Sequence, residues 1–438
     1  MKKILLFAFI FPCFIFGQGY TSFFIGNTTN ITTNTEFGVC LMGGATENDN
    51  AMRWLLQKAN GGDVVVLRST GSAGYNNYLY SQLGVSVNSV ETLVITSAAG
   101  ALNPYVLDKV ANAEMIWFAG GNQWNYVSYF KDNAMEDLLN NHINVKRAPI
   151  GGTSAGMAIL GGYYFSAQNG SVTSAQALNN PYHPNVTIGG FTGTPQRDFL
   201  RVPFLGNVIT DTHYDNPDRK GRHVTFMARI MKDYSPTAYG IASNEYVAVC
   251  VGADGIAKVY GDYPNYQEFA YFIQPDCRWW NTIENCQVGQ PLTWNFGGEA
   301  IMVYKVPGTM NGTNYFSLND WGNWNNNNIS GGNWESWSVN NGVLSVAPGT
   351  GPTISCALSV GENELNKMTV YPNPFLNAII LENSENASVQ IFDSLGKIVF
   401  VDGNFISKSI DTSQFSSGLY FIKIQKEGKI QTVKMVKN

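Results

Sequence analysis

Charged side chains are scarce. Asp, Glu, Lys and Arg make up 13% of the 438 residues, with 27 basic and 32 acidic groups and a net charge of −5. About a quarter is usual. No basic cluster offsets the deficit, which excludes nucleic-acid binding, because that needs a positive stripe to neutralise phosphates. Long apolar runs are missing too. The one near the start, residues 4–16, is too short for a stable membrane span, so no transmembrane segment is expected. Histidine occurs four times, as His142, His183, His213 and His223, so imidazole chemistry has four addresses. The six cysteines include no Cys-x-x-Cys pair, which argues against a zinc cluster or a redox couple. No metal or cofactor is expected.

What is present points outside the cell. Lys2-Lys3, the apolar run and Gly17 make a secretory signal peptide over residues 1–17. Cys13 fits a lipoprotein cleavage site poorly. Export permits disulfides, and the spacing of Cys277 and Cys286 would close a short loop. Cys40 and Cys250 lie in strand-like apolar runs and read as buried thiols.

From about residue 36 to 250, strand-like and helical stretches alternate. Val64-Val65-Val66-Leu67, Leu93-Val94-Ile95 and Met115-Ile116-Trp117-Phe118 are short continuous apolar runs, as strands buried on both faces should be. The expected fold is α/β, a three-layer parallel sheet with helices on both sides. Ligands in such sheets bind beyond the carboxyl ends of the strands. Gly43-Gly44, Gly120-Gly121 and Ser154 fall at such ends. The core is expected at about 36–305. Residues 277–350 hold seven of the ten tryptophans among Asn and Gly runs. They read as a β-rich extension of the first domain (18–350), with an aromatic sugar-binding surface as the alternative. A linker at 351–366 precedes a small all-β sandwich at 367–438, where short alternating runs are separated by turn signals.

Gly152-Thr153-Ser154-Ala155-Gly156 follows the apolar Ala148-Pro149-Ile150 and precedes a helical run. A serine on that strand-to-helix turn needs small neighbours. The turn would lift its hydroxyl from the sheet and leave backbone N–H groups free for an oxyanion, a nucleophile elbow. A base has to come from the four histidines. His142 reads as a surface residue and His183 as part of an Asn-Pro loop. His213 follows the apolar Val208-Ile209-Thr210 at another strand end, where it could serve Ser154. Glu245, just before the apolar residues 246–251, is the candidate to orient that imidazole, since a carboxylate there is costly unless paired. Asp211, Asp215 and Asp218 compete. The N–H groups of Gly121 and Ala155 are the candidate oxyanion donors.

Together, Gly43-Gly44-Ala45, Gly120-Gly121-Asn122-Gln123, the Ser154 motif, Asp211-Thr212-His213-Tyr214 with Arg219 and Arg222, and Gly240-Ile241 through Glu245 resemble the cyanophycinase and dipeptidase E family of serine peptidases over roughly residues 36–305. The resemblance implies a flavodoxin-like fold related to class I glutamine amidotransferases. It implies Ser154 as nucleophile, His213 as base and Glu245 as third member. Gln123, Asp211, Arg219 and Arg222 would sit on the substrate side. Thr212 and Pro217 depart from the Asp-Gln-His-Phe and following arginine that cyanophycinases usually carry, so an Asp-linked peptide is a safer expectation than cyanophycin itself. Tyr371-Pro372-Asn373-Pro374, Asp393-Ser394-Leu395-Gly396-Lys397 and Gly418-Leu419-Tyr420-Phe421 resemble the sorting domain read by the type IX secretion system. That resemblance implies the secretion machinery as a partner and a secreted or surface-held product.

The expectation is therefore a secreted serine hydrolase of Asp-linked peptides, with which a homodimer is compatible. The rivals are a glycan-binding adhesin using the Trp-rich region and an amidohydrolase acting on a small amide.

Overall fold

Alternate residues of the buried strands feed two separate cores, and that alternation builds the molecule. The structure is a computed structural model. It describes residues 18–190, 198–279, 282–321, 328–352, 369–382, 385–394, 396–426 and 429–438. The signal peptide at 1–17 and most of the 351–366 linker lie outside the described residues. The chain divides into two compact units, Met1–Ala357 and Leu358–Asn438.

In the first unit, the strands β1 (Tyr20–Gly26), β2 (Gly38–Met42), β3 (Asp63–Arg68), β4 (Ser89–Ile95), β5 (Met115–Phe118) and β6 (Ile150–Thr153) pair in the order β1-β4-β3-β5-β6-β2. The five strands from β4 to β2 are mutually parallel, and β1 is antiparallel at the edge. On one face, Cys40, Met42, Val64, Val66 and Trp117 pack with Met52, Leu55 and Leu56 of α1 (Asp49–Lys58). On the other, Val39, Leu41, Val65, Leu67, Ile116 and Phe118 pack with residues of α3 (Pro104–Asn112), α4 (Gln123–Phe130) and α5 (Ala134–Asn144), which follow the short α2 (Ala98–Ala101). The asparagine surplus has a local cause here. Asn48, Asn103, Asn122 and Asn133 each cap a helix by accepting backbone N–H groups of its first turn.

After α6 (Ala155–Ala158), β7 (Tyr164–Phe165), α7 (Ser174–Asn179) and β8 (Ile188–Gly189), which pairs antiparallel with β7, the chain starts a second sheet. Its strand β9 (Val208–Asp211) runs through α8 (Lys220–Asp233) to the parallel β10 (Tyr239–Ser243). The strands β11 (Ala248–Gly252) and β12 (Ile256–Tyr260) return to the first sheet, and β13 (Phe269–Pro275) and β14 (Ile301–Pro307) go to the second. The strands β15 (Asn314–Ser317) and β16 (Ile329–Ser330) complete the first sheet, and β17 (Asn333–Asn340) and β18 (Val343–Pro348) the second. The architecture is thus α/β with a large sheet whose middle is parallel. The second sheet is largely antiparallel, because tight turns such as that between β17 and β18 allow only antiparallel pairing.

The described residues of 277–350 are woven into both sheets, while Trp280 and Trp324 lie outside the described residues. Trp294 and Trp337 are fully buried, Trp321 is 9% exposed and Trp334 is half-buried, while Trp279 is exposed and stacks on Phe296. Two expectations need correction. His142 is buried, because it shares the inner face of α5 with Met135, Leu139 and Ile143. The polar Asn140-Asn141 beside it hid that periodicity. Its Nε2 lies 3.0 Å from the Pro149 carbonyl, and burial pushes its pKa down to about 4. Cys277 does not close the short loop with Cys286: Cys277 is engaged in a disulfide, while Cys286 is a free thiol in the second core.

The second unit is all-β. The strands β19 (Thr369–Tyr371), β20 (Ala378–Glu382) and β23 (Ser409–Asp411) form one sheet. The strands β21 (Ala387–Asp393), β22 (Ile398–Phe405), β24 (Gly418–Lys426) and β25 (Lys429–Lys437) form the other, and Ile379, Leu381, Val389, Ile391, Ile422 and Met435 share one core.

Trp337→Ala should destabilise the first unit by about 3–5 kcal/mol in urea unfolding, the usual loss for a fully buried tryptophan. A tryptophan serving as a sugar platform would leave the midpoint unchanged.

Candidate active site

Ser154 occupies the single residue between β6 and α6, at φ 52° and ψ −115°. A side chain pays about 1–3 kcal/mol to sit in such a region, so the surroundings must enforce it. They do so by close approach. A Cβ on Gly152 would come within 2.5 Å of the Gly156 backbone, and one on Gly156 within 2.2 Å of the Phe118 carbonyl oxygen. The Ser154 N–H donates to the Met42 carbonyl at 3.1 Å, tying the turn to β2.

His213 approaches from the second sheet, two residues past the end of β9. Its backbone N–H donates to the Gly43 carbonyl at 2.8 Å, and its ring lies over Gly44, where a Cβ would come within 2.3 Å of a ring carbon. Its Nε2 is 2.8 Å from Ser154 Oγ and its Nδ1 is 2.6 Å from Glu245 Oε1. Glu245 lies in the turn between β10 and β11. That turn is held by the same glycine pair, since the Gly43 N–H donates to the Val247 carbonyl and the Tyr246 N–H to the Gly44 carbonyl. Side chains of His213 and Glu245 are about a quarter exposed, so solvent reaches the line without flooding it. Seating the imidazole is a role of Gly43-Gly44 that sequence reasoning missed. The only available signal was two adjacent glycines at a strand end.

The remaining histidines are engaged elsewhere. His223 is buried in α8, with Nε2 3.1 Å from the Ile209 carbonyl, and burial lowers its pKa. His183 accepts the Asn185 N–H in a loop. Among the competing acids, Asp218 pairs with Lys220 and Asp215 accepts the Glu245 N–H at 3.4 Å. Asp211 is buried and held by Arg222 in two hydrogen bonds, Nε to Oδ2 at 2.8 Å and Nη2 to Oδ1 at 2.5 Å.

A cavity of about 180 Å³ opens at Ser154, lined by Gly121, Gln123, Ala155, Asp211, Arg219 and Arg222, among others. Gly121 has φ 151°, and a Cβ on its neighbour Gly120 would lie 3.5 Å from the Ser154 Cβ. The N–H groups of Gly121 and Ala155 have no hydrogen-bond partner among the described residues. Gln123 donates to the Phe165 carbonyl at 3.3 Å. Phe165, Ala167 and Ser171 line the cavity too. They come from the Tyr-, Asn- and Gly-rich stretch between Ser154 and His213. Two guanidiniums face one carboxylate here. Arg219 donates to the Thr212 carbonyl at 3.0 Å and stands 3.9 Å from Asp211, and its buried Nε has no partner among the described residues. Burial and the neighbouring Arg222 lower its pKa. The wall therefore carries a surplus positive charge suited to an anionic group.

Residues 73–180, which include Gly121, Gln123 and Ser154, match the model of peptidase family S51. Residues 369–438 match the secretion system C-terminal sorting domain. Cyanophycinases of Synechococcus elongatus and Thermosynechococcus vestitus are each 22% identical to the chain over 252 residues, covering 54% of it and 69% of their own length. Two solved structures align at 14% identity. A peptidase from an acI-B1 actinobacterium does so with a TM-score of 0.37, over 54% of this chain and 93% of its own. A peptidase E protein from Listeria monocytogenes EGD-e does so with a TM-score of 0.31, over 52% and 100%.

Burial alone would raise the Asp211 carboxyl, but the Arg222 charge and hydrogen bonds, with His223 and Arg219, hold its pKa below the ordinary 3.8. The ion pair therefore contributes fully above about pH 4 and is lost as pH falls from there toward the folded value. Asp211→Asn should cost about 3–5 kcal/mol in urea unfolding at pH 7, because it strands a buried guanidinium. The gap to the parent protein should narrow below pH 4. A constant gap down to pH 3 would contradict the assignment.

Proposed function

Starting from a serine-type peptidase that the type IX sorting domain directs to the cell surface or beyond, we propose that Ser154, His213 and Glu245 act as nucleophile, base and orienting acid on an Asp-linked peptide. The observation that carries this reading is the unbroken hydrogen-bonded line from Ser154 Oγ through the imidazole to the Glu245 carboxylate. Ser154 would sit on a nucleophile elbow, the last strand of a flavodoxin-like parallel layer running into α6.

In the proposed cycle, the Ser154 hydroxyl gives its proton to His213 Nε2 as Oγ attacks the substrate carbonyl. Glu245 accepts the hydrogen bond from Nδ1–H, which fixes the tautomer and stabilises the imidazolium. The tetrahedral oxyanion is received by the N–H groups of Gly121 and Ala155. His213 then protonates the leaving amine, an acyl-enzyme remains on Ser154, and water activated by the same imidazole releases it. Arg219 binds the aspartyl carboxylate, Arg222 and Asp211 hold the wall behind it, and Gln123 completes the polar side. The cyanophycinase relatives and the surplus charge of the cavity favour an acidic residue at the scissile bond, in α or β linkage. A glycan-binding adhesin is disfavoured because Trp294 and Trp337 are spent on the core.

Hydrolysis of a panel holding β-aspartyl-arginine polymer, isoaspartyl dipeptides, α-linked Asp-X dipeptides and small amides tests the proposal. Release of an amino acid or dipeptide is expected, and ammonia as the only product would favour the amidohydrolase. Ser154→Ala should lower kcat by about 10⁴-fold or more in a folded protein. Arg219→Gln should raise KM chiefly for acidic substrates. Turnover retained in Ser154→Ala would refute the mechanism.

A further inference from the structure

Two thiols outside the proposed chemistry face each other across a strand pair. β2 and β11 are antiparallel neighbours, and their register sets Cys40 directly opposite Cys250. Both are free, fully buried and part of the same core. The hydrogen bonding tells which kind of opposite pair this is. The Gly43 N–H reaches Val247 of the β11 side, whereas the Met42 carbonyl accepts from Ser154 on the β6 side. Neighbouring residues of a strand point their polar groups to opposite sides, so Val39, Leu41 and Gly43 bond toward β11, and Cys40 bonds toward β6. Cys40 and Cys250 therefore form a non-hydrogen-bonded pair, the closer of the two antiparallel spacings, with Cα atoms about 4.5 Å apart. That falls within the roughly 4.4–6.8 Å a disulfide spans.

We propose that Cys40 and Cys250 close into a cross-strand disulfide when the chain folds in an oxidising compartment. The disulfide at Cys277 already marks a chain that matures where such bonds form. The co-reactant is a disulfide oxidant, a protein or small-molecule disulfide. One cysteine thiolate attacks it, forming a mixed disulfide and expelling one thiolate. The second cysteine thiolate attacks the mixed disulfide, forms the Cys40–Cys250 bond and expels the other. The two protons lost by the cysteines end on the oxidant's two thiols. Exchange has to precede closure of the sheet, because both sulfurs are sealed from solvent and burial, with the neighbouring thiol, holds Cys250 well above its usual pKa. The consequence is local. β2 runs straight into Gly43-Gly44, which seats His213, and β11 starts three residues after Glu245. The bond staples together the two turns that hold the imidazole and its carboxylate.

The full chain, reduced and unfolded, is refolded in a glutathione redox buffer until the Cys277 disulfide has formed, which serves as the internal control. Free thiols are then alkylated under denaturing conditions, and the digest is mapped by mass spectrometry without reduction. Expected is a linked pair of Cys40 and Cys250 peptides, two hydrogens lighter than their sum and separating on reduction. Full alkylation of Cys40 and Cys250 while Cys277 is oxidised, or linkage of either to Cys286, would overturn the proposal. The peptide map does not depend on activity, so its failure is separable from failure of the proposed mechanism.

Discussion

The contact on which the site depends is the placement of the His213 ring over Gly44. Ser154 belongs to the first sheet, and His213 and Glu245 to turns at the end of the second. Neither sheet alone can assemble the line. Gly43-Gly44 joins them, because its two carbonyls receive the N–H groups of His213 and Tyr246 while the bare Gly44 Cα leaves room for the imidazole. The hydrogen bonds at 2.8 and 2.6 Å follow from that seat. Three of the non-glycine residues with positive φ fall in the site, with φ of 52° at Ser154, 45° at His213 and 65° at Tyr246. Such strain persists only where dense packing on several sides overrides local preference.

The electrostatics of the cavity follow from an odd count of charges. Asp211 is consumed by Arg222, and the pair is buried deeply enough to act as a fixed wall. Arg219 lies against the same carboxylate at a longer distance, with its Nε unused among the described residues. In a chain with so few charges, a desolvated guanidinium lining the same cavity as Ser154 is the feature most able to select a substrate by sign. The Thr212 carbonyl accepts from that guanidinium and holds it in place, and Phe165 lines the same cavity.

Much of this was legible in the sequence. The continuous apolar runs at Val64, Leu93 and Met115 announced strands buried on both faces. Ser154, His213 and Glu245 could each be singled out from their local setting, whereas Arg219 and Arg222 came only with the family resemblance. Other features were hidden for physical reasons. His142 sits among polar neighbours, yet its spacing from Met135 and Leu139 puts it on the inner face of α5. The second sheet could not be read from its strands, because a short apolar run is the same string whichever sheet recruits it. Sequence distance left the bonding of Cys277 and Cys286 open, and the register that opposes Cys40 to Cys250 arises from a fold that brings residues far apart in the chain together.

The central claim is that Ser154 is made nucleophilic by His213. The most direct measurement is labelling of the full chain with a fluorophosphonate, followed by mass-spectrometric mapping of the adduct. The account predicts a single phosphonylated residue, Ser154, with labelling lost in a folded His213→Ala variant. An unlabelled Ser154 in folded protein, or labelling that is unaffected by removing His213, would contradict it.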